Sequence, residues 1–331
     1  MSKPVVIIGA GPGGCAAAIQ LAKAGFEVTL LEAETLPRHR PGESLHPGVE
    51  PILKSLGVSE DVEAADFHRH PGCFNAWSGD ARYEGFGSDS RGQWFGYQAS
   101  RTKFDSILLN EAKLCGAEVR QQCRVRKINP SNEAESLIVE SNSGQWKADW
   151  VLDGTGAHAL VARNLGISTT RHSGPLTAYY GYVDASGLDT NFEIPLLQRD
   201  DSKWTWIAHI TPTCCAWVTV HFSPRASKEC PPELKNCPVT RATRRCDVTW
   251  RIRDQLAGPG WMLLGDAAAV LDPASSHGVL RSLMSGMQAA HLLKCAKDAP
   301  MEGHMIADHY DQWLRTWFLN DVARLKSFYE H

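Results

Sequence analysis

Three groups of residues in this chain have the types and spacing for chemistry. Gly9-Ala10-Gly11-Pro12-Gly13-Gly14 satisfies G-x-G-x-x-G. In such a run Gly9 permits a tight turn, Gly11 lets the backbone approach a pyrophosphate, and Gly14 lets a following helix pack closely on the preceding strand. The helix N-terminus then offers free N–H groups to the phosphate charges. Glu32 ends the next strand candidate, about 20 residues on, where a carboxylate accepts hydrogen bonds from a ribose diol. An acid there disfavours a 2′-phosphate, but the pattern does not choose between dinucleotides. The second group lies far downstream: Gly265-Asp266 follows an apolar strand candidate, and His277-Gly278 falls within a helix candidate. The third is the pair His68 and His70. Histidine can move protons near neutral pH, and H-x-H alone does not make a metal site.

The elements that must position these residues follow from periodicity and punctuation. Val5 to Ile8, a helix over Cys15 to Ala24 and Glu27 to Leu31 form a βαβ unit. A loop rich in Pro, Arg and His follows, then a helix ending near Leu56-Gly57. Short aromatic strand candidates occupy Cys73 to Trp77 and Gln93 to Gln98. Phe104 to Leu114 is helical by its apolar spacing, with Gly116 as a C-cap, before a strand over Glu118 to Gln122. Trp150 to Leu152 is a further short strand. From about residue 170 to 255 the pattern changes to alternating strands, including Leu176 to Val183, Trp204 to Ile210 and Ala216 to Phe222, which predicts a mostly antiparallel unit. The strand Trp261 to Leu264 and helices over about 276–296 and 302–328 return to the first style. The reading is therefore an α/β fold with a discontinuous nucleotide unit (1–70, 100–168 and 256–331) interrupted by a β unit (71–99 and 169–255).

Composition sets the outer limits. A chain of 331 residues with 43% hydrophobic content can fill a sizeable core. Its 34 basic and 37 acidic residues leave a net charge of -3, so no overall field draws it to nucleic acid or to an anionic membrane. Ten cysteines include no C-x-x-C pair, which suggests reduced thiols in a cytoplasmic protein. Met1-Ser2-Lys3 leads straight into a strand, unlike a signal peptide, and no apolar run approaches the roughly 20 residues that span a bilayer.

Gly260-Trp261-Met262-Leu263-Leu264-Gly265-Asp266-Ala267-Ala268 resembles the G-x-x-L-x-G-D-A-A segment of FAD-dependent monooxygenases of the hydroxybenzoate hydroxylase fold. Arg101-Thr102-Lys103-Phe104-Asp105 is similar to their R-x-x-F-D helix start. Asp153 to Arg163 is similar to their D-x-x-G-x-x-S…R segment, with Ala159 where the family usually has Ser. The resemblance implies FAD as cofactor and a Rossmann-like FAD-binding domain with a β substrate domain and a C-terminal helix. It implies that Asp266 binds a ribityl hydroxyl and that Arg101 lies near the phosphates. The implied cofactor residues are Gly9, Gly11, Pro12, Gly14, Glu32, Ala33, Glu43, Ser44, Arg101, Asp153, Gly156, Gly265, Asp266, Pro273, Ser276, Gly278 and Val279.

Two segments point to one branch of that family. Asp272-Pro273-Ala274-Ser275-Ser276-His277-Gly278-Val279 and Arg40-Pro41-Gly42-Glu43-Ser44-Leu45 are similar to the D-P-x-x-S-x-G-V and P-G-E-S-L segments of flavin-dependent halogenases. Two halogenase signatures are missing. Trp204-Thr205-Trp206-Ile207-Ala208-His209 lacks the Ile-Pro half of W-x-W-x-I-P, and Asp66 to Gly72 supplies no lysine where tryptophan halogenases carry their catalytic one. Asn75 to Gly79 and Gly92-Gln93-Trp94 resemble small flavoproteins of the LodB and GoxB type, which mature a tryptophan in a partner amine oxidase.

What the resemblance implies is oxygenation of an electron-rich aromatic through a flavin C4a-hydroperoxide, on a free ring or on a tryptophan of a partner amine oxidase precursor. Electrons would come from NAD(P)H or a separate flavin reductase. A halogenase-like enzyme acting on a small aromatic and a non-catalytic flavin-binding assembly factor stand as alternatives. His277, beside the isoalloxazine by this resemblance, and His68 and His70 are the catalytic candidates.

Overall fold

The computed structural model describes residues 4–131, 136–188, 192–223, 228–299 and 301–330; Met1-Ser2-Lys3 lies outside them. Pro4–Ile8 runs into helix α1 (Pro12–Lys23), and the chain returns as Glu27–Leu31, parallel to the first strand. The helix begins before Cys15, at Pro12, because proline's fixed φ suits the first helical position, where its missing N–H costs nothing. Helices α2 (Glu50–Leu56), α3 (Ser59–Ala64), α4 (Arg101–Leu114), α5 (Leu160–Asn164), α6 (Gly278–Asp298) and α7 (Gly303–Glu330) follow.

The nucleotide-side sheet has six strands in the order Glu118–Arg120, Glu27–Leu31, Pro4–Ile8, Trp150–Asp153, Trp261–Leu263, Ala257–Gly258. All neighbours are parallel except the last pair. Ile8 is in register with Leu31 and Asp153, and Asp153 with Leu263. Gly9, Glu32, Gly154 and Leu264 therefore leave the sheet along one carboxyl edge, outside which open parallel sheets bind ligands.

From Gly13 to Ala18 the buried positions of α1 are all Gly, Ala or Cys, so this part of the helix can lie close between the sheet and α6. A Cβ on Gly14 would come within 2.0 Å of Gly9 O, and one on Gly286 within 2.0 Å of Gly13 O. The backbones touch where only hydrogen fits. Gly13 N–H donates to Ser282 Oγ at 3.0 Å and Gly265 N–H to Ser285 Oγ at 2.9 Å, which ties α6 to both glycine loops.

The second sheet has seven strands: Val239–Asp247, Thr177–Asp184, Cys214–His221, Lys203–Thr211, Leu196–Arg199, Gly72–Ala76, Arg82–Gly85. Only Leu196–Arg199 and Gly72–Ala76 pair in parallel, so the expected mostly antiparallel layer is present. The features unread in the sequence include α3, the Val239–Asp247 strand, and a meander of Val125–Pro130, Leu137–Ser141 and Gly144–Ala148. The segment Gln93 to Gln98, expected as one strand, is two, Gly92–Gln93 and Gly96–Gln98. No described helix is long and apolar enough to cross a membrane.

Candidate functional site

A cavity of about 720 Å³ opens at the carboxyl edge of the parallel sheet and continues to the seven-stranded sheet. Gly9, Gly11 and Pro12 form its floor at the start of α1. Gly11 has extended backbone at the N-cap and no side chain of its own to cap the helix, and a Cβ there would meet nothing within 4 Å. The start of α1 thus turns a positive helix end toward open space at Gly11, while Pro12 has no N–H and Gly13 N–H is taken by Ser282 Oγ. At the other side of the cavity the same arrangement recurs: α6 starts at Gly278 with no side-chain cap, and Ser276, Gly278 and Val279 line the wall.

Acidic residues stand at defined points along this path. Glu32 is buried, its Oε2 accepting from Ala10 N–H at 2.7 Å and its Oε1 from Glu34 N–H at 2.9 Å, and it lines the cavity beside Ala33. Asp266 faces the cavity and is open to solvent there, yet lies deep in the protein mass, which pushes its carboxyl pKa up against the pull of Arg281 and Arg101. No described residue hydrogen-bonds its carboxylate. Arg101 is buried and fixed: its guanidinium donates to both oxygens of Asp105, at 2.8 and 3.0 Å, and to Pro41 O at 2.8 Å. Burial works against its charge, but Asp105 and Glu43 hold its pKa above the ordinary arginine value. Arg38 extends the chain of charges from Asp105 at 3.0 Å to Glu32 at 3.5 Å.

The loop of Gly42, Glu43 and Ser44 also faces the cavity. Burial raises the Glu43 carboxyl pKa, while Tyr182 donates to its Oε1 and Gly42 N–H to its Oε2. Ser44 Oγ donates to Gln98 Oε1 at 3.0 Å, and Gln98 Nε2 meets His70 Nε2 at 3.1 Å. His70 Nδ1 lies 2.7 Å from Gly72 O, and a carbonyl can only accept, so the ring is the Nδ1–H tautomer with Nε2 accepting from Gln98. Burial lowers its pKa to about 4, so it is neutral at pH 7.

Of the other histidine candidates, His277 is not among the cavity-lining residues. It occupies the N-cap of α6 and packs edge-on to His46, which does line the cavity, with ring centroids 5.1 Å apart. Burial lowers the His277 pKa to about 4. His68 turns away, its Nε2 bonded to Glu193 O at 2.7 Å. Asp153, expected as a cofactor residue, also lies outside the lining. Its carboxylate is taken up by Thr155 N–H, Thr155 Oγ1 and Val161 N–H at 2.7–2.9 Å, so it shapes the turn that brings Thr155 and Gly156 to the cavity. Gly14 contacts Gly9 rather than the cavity. Gly265 and Pro273 line it.

The far half of the cavity is apolar. Trp204 and Trp206, two apart on one strand, share its face with Leu197, Val218 and Val248, and Phe318 closes it from α7. Trp204 Nε1–H donates to Tyr329 Oη at 2.9 Å. Arg281, at the first turn of α6, also borders the cavity, with Ser275 Oγ at 2.5 Å and Asp321 at 3.8 Å. Sequence reasoning missed Arg38, His46, Gln98, Tyr182 and Arg281. Asp105 alone had a signal, four residues after Arg101 on one helix face.

A glycine cradle on one parallel-sheet edge, two helix ends facing one cavity, and an apolar far wall define a dinucleotide-binding flavoprotein architecture. Residues 2–301 match the FAD binding domain family, and the chain belongs to that family. It is a flavin-dependent enzyme of the oxidoreductase type, with FAD as cofactor. It is 28% identical to the tryptophan 2-halogenase of Chondromyces crocatus, over 99% of this chain and 68% of that protein. It is 27% identical to the 1H-pyrrole-2-carbonyl peptidyl-carrier-protein brominase of Pseudoalteromonas luteoviolacea, over 90% of this chain and 78% of that one. Its fold is similar to the solved flavin-dependent brominase Bmp2, with a TM-score of 0.87 at 21% identity, covering 100% of this chain and 88% of that chain.

Proposed function

We propose that the chain binds FAD along this cavity and oxidises an electron-rich ring held against Trp204 and Trp206, with halogenation the outcome its relatives favour. The observation that carries the reading is the pair of helix N-termini, α1 and α6, whose N-cap residues offer no side-chain cap, at two ends of one cavity with an apolar extension. The pyrophosphate belongs beside Gly11 at the positive end of α1, where no Cβ intrudes. Glu32 and Ala33 hold the adenosine ribose, and Asp266 a ribityl hydroxyl. Glu43, Ser44, Arg101, Gly156, Gly265, Pro273 and Ser276 shape the walls, and Gly14 and Asp153 position them. Bound FAD supplies the oxygen chemistry when reduced. The N–H groups of Gly278 and Val279 stabilise negative charge at the ring end, and Trp206 and Phe318 keep water away. His70, kept neutral by burial and oriented by Gly72 and Gln98, is the proton acceptor facing the cavity; His277 acts through His46. In this reading residues 1–70, 100–168 and 256–331 form the FAD unit, and 71–99 and 169–255 the substrate unit. All ten cysteines are free thiols, which fits a cytoplasmic location.

A second reading, oxygen transfer without halide, is favoured by one observation: among the described residues no lysine lines the cavity. One experiment separates the two. The FAD-loaded protein, reduced by a flavin reductase or NADPH, is given oxygen, bromide and a small indole, phenol or pyrrole, and products are weighed. A bromide-dependent product supports halogenation and an oxygenated one the second reading. Neither product, with no oxygen consumed, would overturn both and favour a non-catalytic assembly factor. The narrower reading, a tryptophan in a partner amine oxidase, requires one added oxygen on that partner by intact mass.

A further inference from the structure

The Val239–Asp247 strand is the edge of the seven-stranded sheet and pairs only with Thr177–Asp184. It carries Arg241, Arg244 and Arg245, all exposed, and no described carboxylate lies within ion-pair distance of any of them. Register sorts the three. Arg244 is opposite Tyr180, which lines the cavity, and a bulge keeps Arg241 opposite Tyr182, whose hydroxyl reaches Glu43 at the cavity wall. Arg245 is opposite Tyr179, which enters a separate hydrophobic cluster on the other side of the sheet.

On the cavity side the cations converge. The Arg241 guanidinium sits 5.4 Å from the Tyr182 ring centroid and contacts His39 Nδ1. Arg40, next to His39, lines the cavity. Arg241, Arg244 and Arg40 all act on His39, which burial and these charges hold at about 4, and Arg244 and Arg40 both act on Tyr180. Of the nearby acids, Glu34 pairs with Arg40 itself at 2.9 Å, Asp247 pairs with Arg251 at 3.2 Å and Glu43 is buried against Tyr182, which leaves Arg241 and Arg244 without a described carboxylate partner. A chain of net charge -3 thus gathers a surplus of positive charge at its cavity mouth. Arginine forks suit bidentate phosphate binding, and an anion would relieve their mutual repulsion.

We infer that Arg40, Arg241 and Arg244 form a rim that recognises the phosphate of a ligand whose other end enters the cavity. The inference rests on reading the cavity as the flavin site. FAD's own phosphates are read at Gly11 on α1, so the rim serves a second ligand. Its phosphate would come from a nicotinamide dinucleotide or from a pantetheine arm carrying the substrate.

The test is calorimetric titration of the FAD-loaded protein with NADPH and, separately, phosphopantetheine, with inorganic pyrophosphate as competitor. The wild type should bind one of the two, pyrophosphate should displace it, and the arm that binds identifies the source. Arg241→Gln and Arg244→Gln should each weaken binding about tenfold or more, and Arg245→Gln by less than about twofold. Flavin content and circular dichroism should be unchanged in all three. No binding of either ligand by the wild type, an equal loss in Arg245→Gln, or loss of FAD from the Arg241 or Arg244 variant would overturn the rim. Because the readout is binding heat and not turnover, an inactive protein that still binds counts only against the proposed reaction.

Discussion

Tyr329, in the last turn of α7, donates its hydroxyl to Asp272 Oδ2 at 2.6 Å, joining the end of the chain to the loop that delivers α6 to the cavity. Asp272 is fully buried, and its other partners are Trp250 Nε1–H at 3.1 Å and Ala274 N–H at 2.9 Å. Burial raises its pKa, while the Tyr329 donation favours the ionised form. Tyr329→Phe removes that donor and also leaves the Trp204 indole N–H without its acceptor. The expected loss is about 1.5–3 kcal/mol, the worth of a hydrogen bond to a charged group. The deficit should be larger at pH 7 than in acid, where Asp272 is protonated in either protein. Urea unfolding of both proteins at the two pH values checks this; equal midpoints at pH 7 would show the contact to be idle.

Gly11 and Gly14, three residues apart in one motif, should fail in opposite ways. A Cβ on Gly11 enters open space, so Gly11→Val should fold normally and lose its yellow colour, because the side chain takes the space of the pyrophosphate. A Cβ on Gly14 would press on Gly9 O at 2.0 Å, so Gly14→Ala should cost on the order of 3 kcal/mol by forcing backbone apart. Thermal melting with flavin absorbance reads both. Stoichiometric FAD in Gly11→Val would move the phosphate site away from α1.

Asp266→Asn should separate cofactor binding from folding. The folded protein raises this carboxyl's pKa, so the ionised group costs the apo-protein stability as pH rises through that pKa. Asparagine removes that cost, and the apo-variant should melt no lower than wild type at pH 7. FAD affinity should fall by about 1.5–3 kcal/mol, roughly ten- to a hundredfold, through loss of a charge-assisted hydrogen bond. Unchanged affinity in a fluorescence titration would remove Asp266 from the FAD site.

The parallel half of this fold was legible because each element carried its own local signal. The Gly9 to Gly14 turn, the apolar runs of Val5 to Ile8 and Trp150 to Leu152, and Gly57 in a left-handed C-cap at φ 82 each report backbone geometry directly. Val239–Asp247 was illegible for the opposite reason. It is exposed along nearly all its length, so it has no apolar alternation to show, and its arginines give no strand signal of their own. The site divided along the same line. Residues whose role is backbone geometry carry a signal in the sequence, whereas Gln98, Tyr182 and Arg281 matter only through partners brought close by the fold. His277 and Asp153 show the limit of carrying a motif across: both stand at the expected point in the chain, yet one faces His46 and the other its own turn.

His70 gives a prediction in which the sign of a pH effect decides. Its folded-state pKa is lowered to about 4 by burial, with the Gly72 carbonyl opposing and His68 adding to the shift. In the unfolded chain a histidine titrates near 6.5. Above that value both states are neutral and pH has no effect through this group. As pH falls from 6.5 to about 4, the unfolded chain takes up a proton that folded His70 refuses, so stability falls. The full slope is one proton, about 1.36 kcal/mol per pH unit, and His70 is only 4% exposed, so solvent does little to soften it. His70→Gln keeps a donor for Gly72 and an acceptor for Gln98 but cannot titrate. The variant should therefore lose less stability than wild type between pH 6.5 and pH 4.5, measured by urea midpoints at several pH values. Parallel curves would mean that His70 is solvated and free to protonate, and would remove it as the neutral proton acceptor of the cavity.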